Sequence, residues 1–144
     1  MSSTPYESAT LLIRLYELRR EPTMREARSW FSREFNPNTM DDVMAVLMGP
    51  NSGHFRMVSG YWDMCAWFVM NGAIDEQMYN DANGEQLGVF AKMEPFLTEY
   101  RARSGSPKYL SQLEQVVMRR PGAQEQLASI RDWFKQRAAP AATK

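Results

Sequence analysis

The chain has 144 residues, with 17 basic side chains balanced by 17 acidic ones, one cysteine and one histidine. This is the size of a single domain that can bury a core without staples, and one cysteine excludes an internal disulfide framework. Zero formal charge argues against nucleic-acid binding as the main role, and His54, with no second histidine or neighbouring cysteine, offers no metal ligand set.

Charge is unevenly spread. Residues 36–100 hold nine acids against Arg56 and Lys92, whereas residues 101–144 hold nine basic residues against three acids. Two readings follow: a basic C-terminal surface (Arg119, Arg120, Arg131, Lys135, Arg137) facing an anionic partner, or basic helices docking on the acidic middle of the same chain or of a twin subunit. No basic leader precedes an apolar run and no stretch reads as a membrane span, so a cytoplasmic location is the expectation.

The first helix is expected over Pro5–Arg20, with Leu11, Leu15 and Leu18 in one row. Pro22 suits the first turn of a second helix, to about Phe35, burying Met24, Ala27 and Phe31. Asn36-Pro37-Asn38 reads as a turn. Thr39 with Asp42 three residues on then makes a capping box for a third helix, whose buried stripe is Met40, Val43, Met44 and Leu47. Gly49 to Gly53 breaks the chain again.

The organising stretch is His54–Met70. Only Arg56, Ser59 and Asp63 are plainly polar over Phe55–Met70, and they fall on one stripe of a helix. A helix so apolar is expected to be buried around most of its circumference, with Trp62 and Phe68 in the core. Asn71-Gly72 stops it. Asp75 caps a short helix to about Asp81. A long helix follows over Glu85–Arg103, with Pro95 kinking or splitting it and Gly105 ending it. Ser106-Pro107 is read as the start of the next helix, with Tyr109, Leu110 and Leu113 on its core side. Pro121-Gly122 ends that helix, and Ala123–Arg137 forms the last one. Residues 138–144 are expected to fray. No stretch alternates with period two, so the expectation is an all-α single-domain bundle over 1–137 of seven or eight helices, without a sheet.

The order of features from Phe55 to Arg103 resembles a broad group of small bacterial all-helical proteins classed as a domain of unknown function. These features are the aromatic helix with its Asn-Gly stop, Ile74-Asp75-Glu76 opening a short helix with Tyr79, Gly84, then Glu94-Pro95-Phe96 and Tyr100-Arg101. The resemblance implies the helical fold and no functional residue.

Asp63 is the first candidate for chemistry, because a carboxylate on this helix needs a partner. The arginines of the first two helices are candidates for it. Glu94 shares a line with Leu87, Phe90 and Leu97 and so points inward. A small-molecule pocket beside Pro95, or an unrecognised enzyme, would use these two carboxylates with Tyr61 or Trp67. There is no nucleophile, phosphate-loop or Glu-x-x-His signature, and neither metal nor cofactor is expected. Eleven methionines, among them Met40, Met44 and Met48 at helical spacing, suit either core packing or an adaptable groove. The leading expectation is a non-catalytic helical module that binds a protein partner or pairs with itself as a homodimer.

Overall fold

The computed structural model describes residues 2–138; the tail expected to fray lies, except for Ala138, outside them. Nine α-helices are found among the described residues: α1 (Pro5–Arg19), α2 (Pro22–Arg33), α3 (Met40–Leu47), α4 (Ser52–Met70), α5 (Glu76–Ala82), α6 (Glu85–Met93), α7 (Leu97–Ser104), α8 (Ser111–Met118) and α9 (Ala123–Ala138). No strand occurs among them. A 3-10 turn over Glu94–Phe96 joins α6 to α7. Pro95 has no N–H to continue the ladder, so the expected long helix is a kinked rod and the bundle has eight rods.

Local chemistry sets most boundaries. Thr4 and Glu7 form a capping box for α1, and Thr39 and Asp42 form one for α3. Glu21 and Asp75 accept from the backbone N–H groups of Met24 and Met78 at the starts of α2 and α5. Gly105 takes φ 70° to stop α7, a left-handed conformation suited to glycine.

One boundary departs from expectation. The helix read from Ser106-Pro107 begins only at Ser111, because Leu110 takes φ 55° and turns the chain. Residues 105–110 form a separate turn. Arg101 clasps it, donating from Nε to the Tyr109 carbonyl at 2.9 Å and pairing with Glu114 at 2.9 Å. Tyr109 and Leu110 still reach the core, but from this turn.

α4 is the hub, flanked by α2 on one side and α8 on the other. Phe55, Val58, Trp62, Cys65 and Ala66 are fully buried along it. An aromatic train crosses the core at its N-terminal end. Phe31 lies 4.9 Å from Phe35, Phe35 5.4 Å from Phe55, and Phe55 6.1 Å from Tyr100 and 6.4 Å from Tyr109. Such tilted and offset pairs each add to plain burial.

The uneven charge is balanced in part inside the chain. Arg103 pairs with Asp41, Arg119 with Glu76 and Arg131 with Glu94, so basic residues of the C-terminal third meet acids of the middle. Arg28 grips Glu85 with two N–H groups at 2.9 and 2.7 Å and ties α2 to α6.

α9 packs mainly against α6, and Gly88 permits that docking. A Cβ there would stand 3.3 Å from Cζ of Phe134. We predict that Gly88→Leu costs about 1–3 kcal/mol through overpacking. Gly88→Ala should stay near zero, since a helix-propensity gain of about 1 kcal/mol offsets the tight contact. Urea unfolding read at Trp133 checks this; equal, small effects would mean that Phe134 yields freely.

Candidate functional site

The exposed face of α4 is not the one its polar residues suggest. Ser59 is buried and donates to the Phe55 carbonyl at 3.0 Å. Asp63 is half-buried. The residues that face outward are Gly53, Met57, Gly60, Met64, Trp67 and Asn71, with Arg56 at the edge. Met57 is 39% exposed, Met64 38% and Trp67 51%, so the most apolar helix turns a mainly apolar stripe to solvent. The expectation of burial around most of the helix is corrected accordingly. The stripe steps by four, three, four, three and four residues, the spacing of a helix–helix seam. A Cβ on Gly53 or Gly60 would meet nothing within 4 Å.

Asp63 finds its partner on α8. Its Oδ1 accepts from the backbone N–H groups of Gln112 at 3.1 Å and Leu113 at 2.9 Å. Leu110, the residue before α8, has no side-chain oxygen to cap it, and Asp63 does this from another helix. The arginine partner expected from α1 or α2 is therefore replaced by backbone N–H groups. Burial pushes the Asp63 carboxyl above its ordinary range, opposed by the two N–H groups and by the charge of Arg101.

Glu94 ends in an arginine pair. Its Oε1 accepts from Arg131 at 2.9 Å and its Oε2 from Gln124 at 3.3 Å. Tyr61 faces α1: its hydroxyl donates to the Leu15 carbonyl at 2.7 Å and accepts from Arg19 at 3.0 Å. Burial raises its pKa well above the ordinary tyrosine value. Cys65 is fully buried, and burial pushes its thiol to about 12, so it stays protonated at neutral pH. Trp67 lies out on the exposed stripe. No hydrogen bond or ion pair joins any two of Asp63, Glu94, Tyr61 and Trp67, which the fold distributes over α8, α9, α1 and solvent. His54 is half-buried beside Trp30, ring centroids 6.0 Å apart.

A residue that sequence reasoning passed over is Lys92. It is buried, and its Nζ donates to the carbonyls of Phe31 (2.7 Å), Ser32 (3.0 Å) and Phe35 (2.7 Å) and to Asn36 Oδ1 at 3.2 Å. It thus closes the C-terminal end of α2, where carbonyls lack helical partners. Burial, with the nearby Arg137 charge, pulls its pKa down to about 7, while the four oxygens favour the ammonium. The only advance signal was a lone lysine at the apolar end of α6.

A cavity of about 500 Å³ opens beside the Pro95 kink, where a pocket was expected. Its walls include Lys92, Arg131 and Lys135 with Pro95, Phe96 and Phe134, and neither Asp63 nor Glu94 lines it. Among the described residues no three His, Cys, Asp or Glu side chains cluster as metal ligands, and no helix is long and apolar enough to cross a membrane.

Fold and site together define an all-α bundle with an exposed seam on its hub helix and dispersed carboxylates. The family described as "Domain of unknown function (DUF4760)" matches residues 6–119, and the chain belongs to it. The match covers α1–α8 and stops before α9. Neither the curated proteins nor the solved structures contain a match to this chain.

Proposed function

We propose that this protein is a non-catalytic helical interaction module that pairs with a second copy of itself through the exposed stripe of α4. The carrying observation is the four–three spacing of Met57, Gly60, Met64 and Trp67 on a helix otherwise committed to the core. Antiparallel pairing about Gly60 sets Trp67, seven residues on, opposite Gly53 of the partner subunit, seven residues back. The large side chain enters the space that the missing side chain leaves, and the contact is made twice, as an isologous interface requires. The same register brings Arg56 level with Met64 of the partner subunit and beside the partner's Asp63, on the same side of the seam. The free Oδ2 of that carboxylate is its complement. The Met-rich seam suits reversible packing.

A stripe with three large apolar side chains is short of the roughly 800 Å² per partner of a standard stable interface. Pairing is therefore concentration-dependent. The expected result in sedimentation equilibrium is a monomer–dimer balance that Gly60→Arg or Trp67→Ala shifts at least tenfold toward monomer, about 1.4 kcal/mol or more. The monomer should stay folded, because both residues face solvent and arginine at Gly60 gains about 1 kcal/mol of helix propensity. A wild-type monomer up to millimolar concentration, with a different protein retained on the stripe, would instead make the partner heterologous.

A catalytic reading has less behind it, since Asp63 and Glu94 are each engaged in structural bonds. The location proposed with this function is the bacterial cytoplasm. It draws on the resemblance seen in the sequence and on the single, unpaired Cys65.

A further inference from the structure

We propose that the cavity between α9 and the Pro95 kink binds a small organic anion with a flat apolar body, such as an aryl carboxylate. No residue of α4 lines this cavity, so the proposal stands or falls apart from the pairing of α4. Its volume of about 500 Å³ lies within the range of small-molecule sites, roughly 300–1,000 Å³. The walls combine two chemistries. Pro37, Pro95, Phe96 and Phe134 offer flat apolar surface, while Lys92, Arg131 and Lys135 bring positive charge; no carboxylate lines the cavity.

Glu34 and Asp132 lie close in sequence to the walls but are exposed and do not line the cavity, and two other nearby acids are occupied. Glu94 is held by Arg131 and Gln124, and Asp42 accepts from the backbone N–H groups of Asn38 and Thr39. The cations are less fully used. Arg131 spends one terminal nitrogen on Glu94 and on the Ala91 carbonyl, leaving its other N–H groups to donate. Lys135 makes no ion pair among the described residues. Lys92 contributes field rather than a hydrogen bond, because its donors are taken by the end of α2 and its ammonium lies 4.1 Å from the centre of the Phe134 ring. An anionic head fits between Arg131 and Lys135, in a concave site where charge-assisted hydrogen bonds are strong, and an aryl body fits against Phe96 and Phe134. α9 supplies Arg131, Phe134 and Lys135 and lies beyond the residues matched by the family, whereas Pro37, Lys92, Pro95 and Phe96 lie within them, so the site is completed by this chain's C-terminal helix.

Calorimetric titration of the intact protein with 2-naphthoate, 2-naphthalenemethanol and inorganic phosphate tests the proposal. The expected result is binding of 2-naphthoate at least tenfold tighter than the neutral alcohol, and tighter than phosphate. Lys135→Glu, at an exposed position that leaves folding intact, should weaken naphthoate at least tenfold. Gly60→Arg on α4 should leave it unchanged. Equal affinity for naphthoate and the alcohol, phosphate binding as tightly as naphthoate, indifference to Lys135→Glu, or no binding at millimolar naphthoate would each overturn it.

Discussion

Replacing Trp62 with alanine is expected to destabilise the protein by about 3–5 kcal/mol, the range for a large buried aromatic. Trp62 is fully buried on α4. Its ring meets Tyr61 edge-on at 5.0 Å, and the Arg19 guanidinium sits 5.1 Å from the ring centre. Alanine would leave a cavity between α1 and α4 and remove the surface on which Arg19 rests while it donates to Tyr61. Phe68, expected from sequence to be as critical, is only half-buried, and Phe68→Ala should cost about 1–2 kcal/mol, in proportion to the smaller area lost. Chemical denaturation of both variants gives the comparison. A Trp62→Ala loss below about 1 kcal/mol would overturn the role of α4 as the hub.

The second large effect is at Asp63. Asp63→Leu removes the side-chain acceptor at the start of α8 and leaves the N–H groups of Gln112 and Leu113 unpaired in a partly buried place. We expect a loss of about 2 kcal/mol. Asp63→Asn keeps an oxygen for the same two donors and should cost about 1 kcal/mol or less. The comparison also has a pH signature. Burial holds the folded-state pKa above the ordinary 3.8, so the folded protein keeps its proton to higher pH than the unfolded chain does. Between the two values the folded state binds more protons, and stability falls as pH rises through that window. The advantage of wild type over Asp63→Asn should therefore be largest at the acid end, decline as pH rises through the window, and stay flat above it. Denaturation curves from pH 3.5 to 7 would show this; an advantage that grows with pH would mean that the two N–H groups outweigh burial.

The all-helical architecture was legible because its punctuation is local. Thr39 with Asp42, Asp75 before Glu76, Pro95 inside a helix and Gly105 after one act on backbone groups within a turn of themselves, and each does in the structure what its chemistry prescribes. The start of α8 was not legible, since two distant facts set it: Leu110 adopts a left-handed conformation that its own side chain disfavours, and the cap comes from Asp63 on another helix. The exposed side of α4 was hidden for a related reason. Arg56, Ser59 and Asp63 form the one polar stripe of the helix, but Ser59 satisfies itself on its own helix and Asp63 on α8, freeing that side to pack. Met57, Met64 and Trp67 face outward because the neighbouring helices leave that sector open. Likewise Lys92 reads as an ordinary surface lysine until the α2 carbonyls are found around it. Of the residues proposed from sequence as a ligand site, Asp63, Glu94 and Tyr61 were traced to partners on three different helices, and Trp67 to the exposed stripe.

The position of α4 midway along the chain has a consequence for biosynthesis. Its α2 flank is already made when α4 leaves the ribosome. Its α8 flank is not, for the groups that bond Asp63 lie 49 and 50 residues downstream, and Tyr100 and Tyr109, the late aromatic partners of Phe55, also lie well downstream of it. At about 5–20 residues per second, translation leaves an interval of roughly 2–10 s in which one side of α4 is packed and the other is bare. During that interval two apolar faces of the same helix are open to water, the one α8 will cover and the Met57–Trp67 stripe. A nascent chain is thus most exposed to chaperone capture, or to premature pairing with a neighbour on the same message, until α8 has emerged.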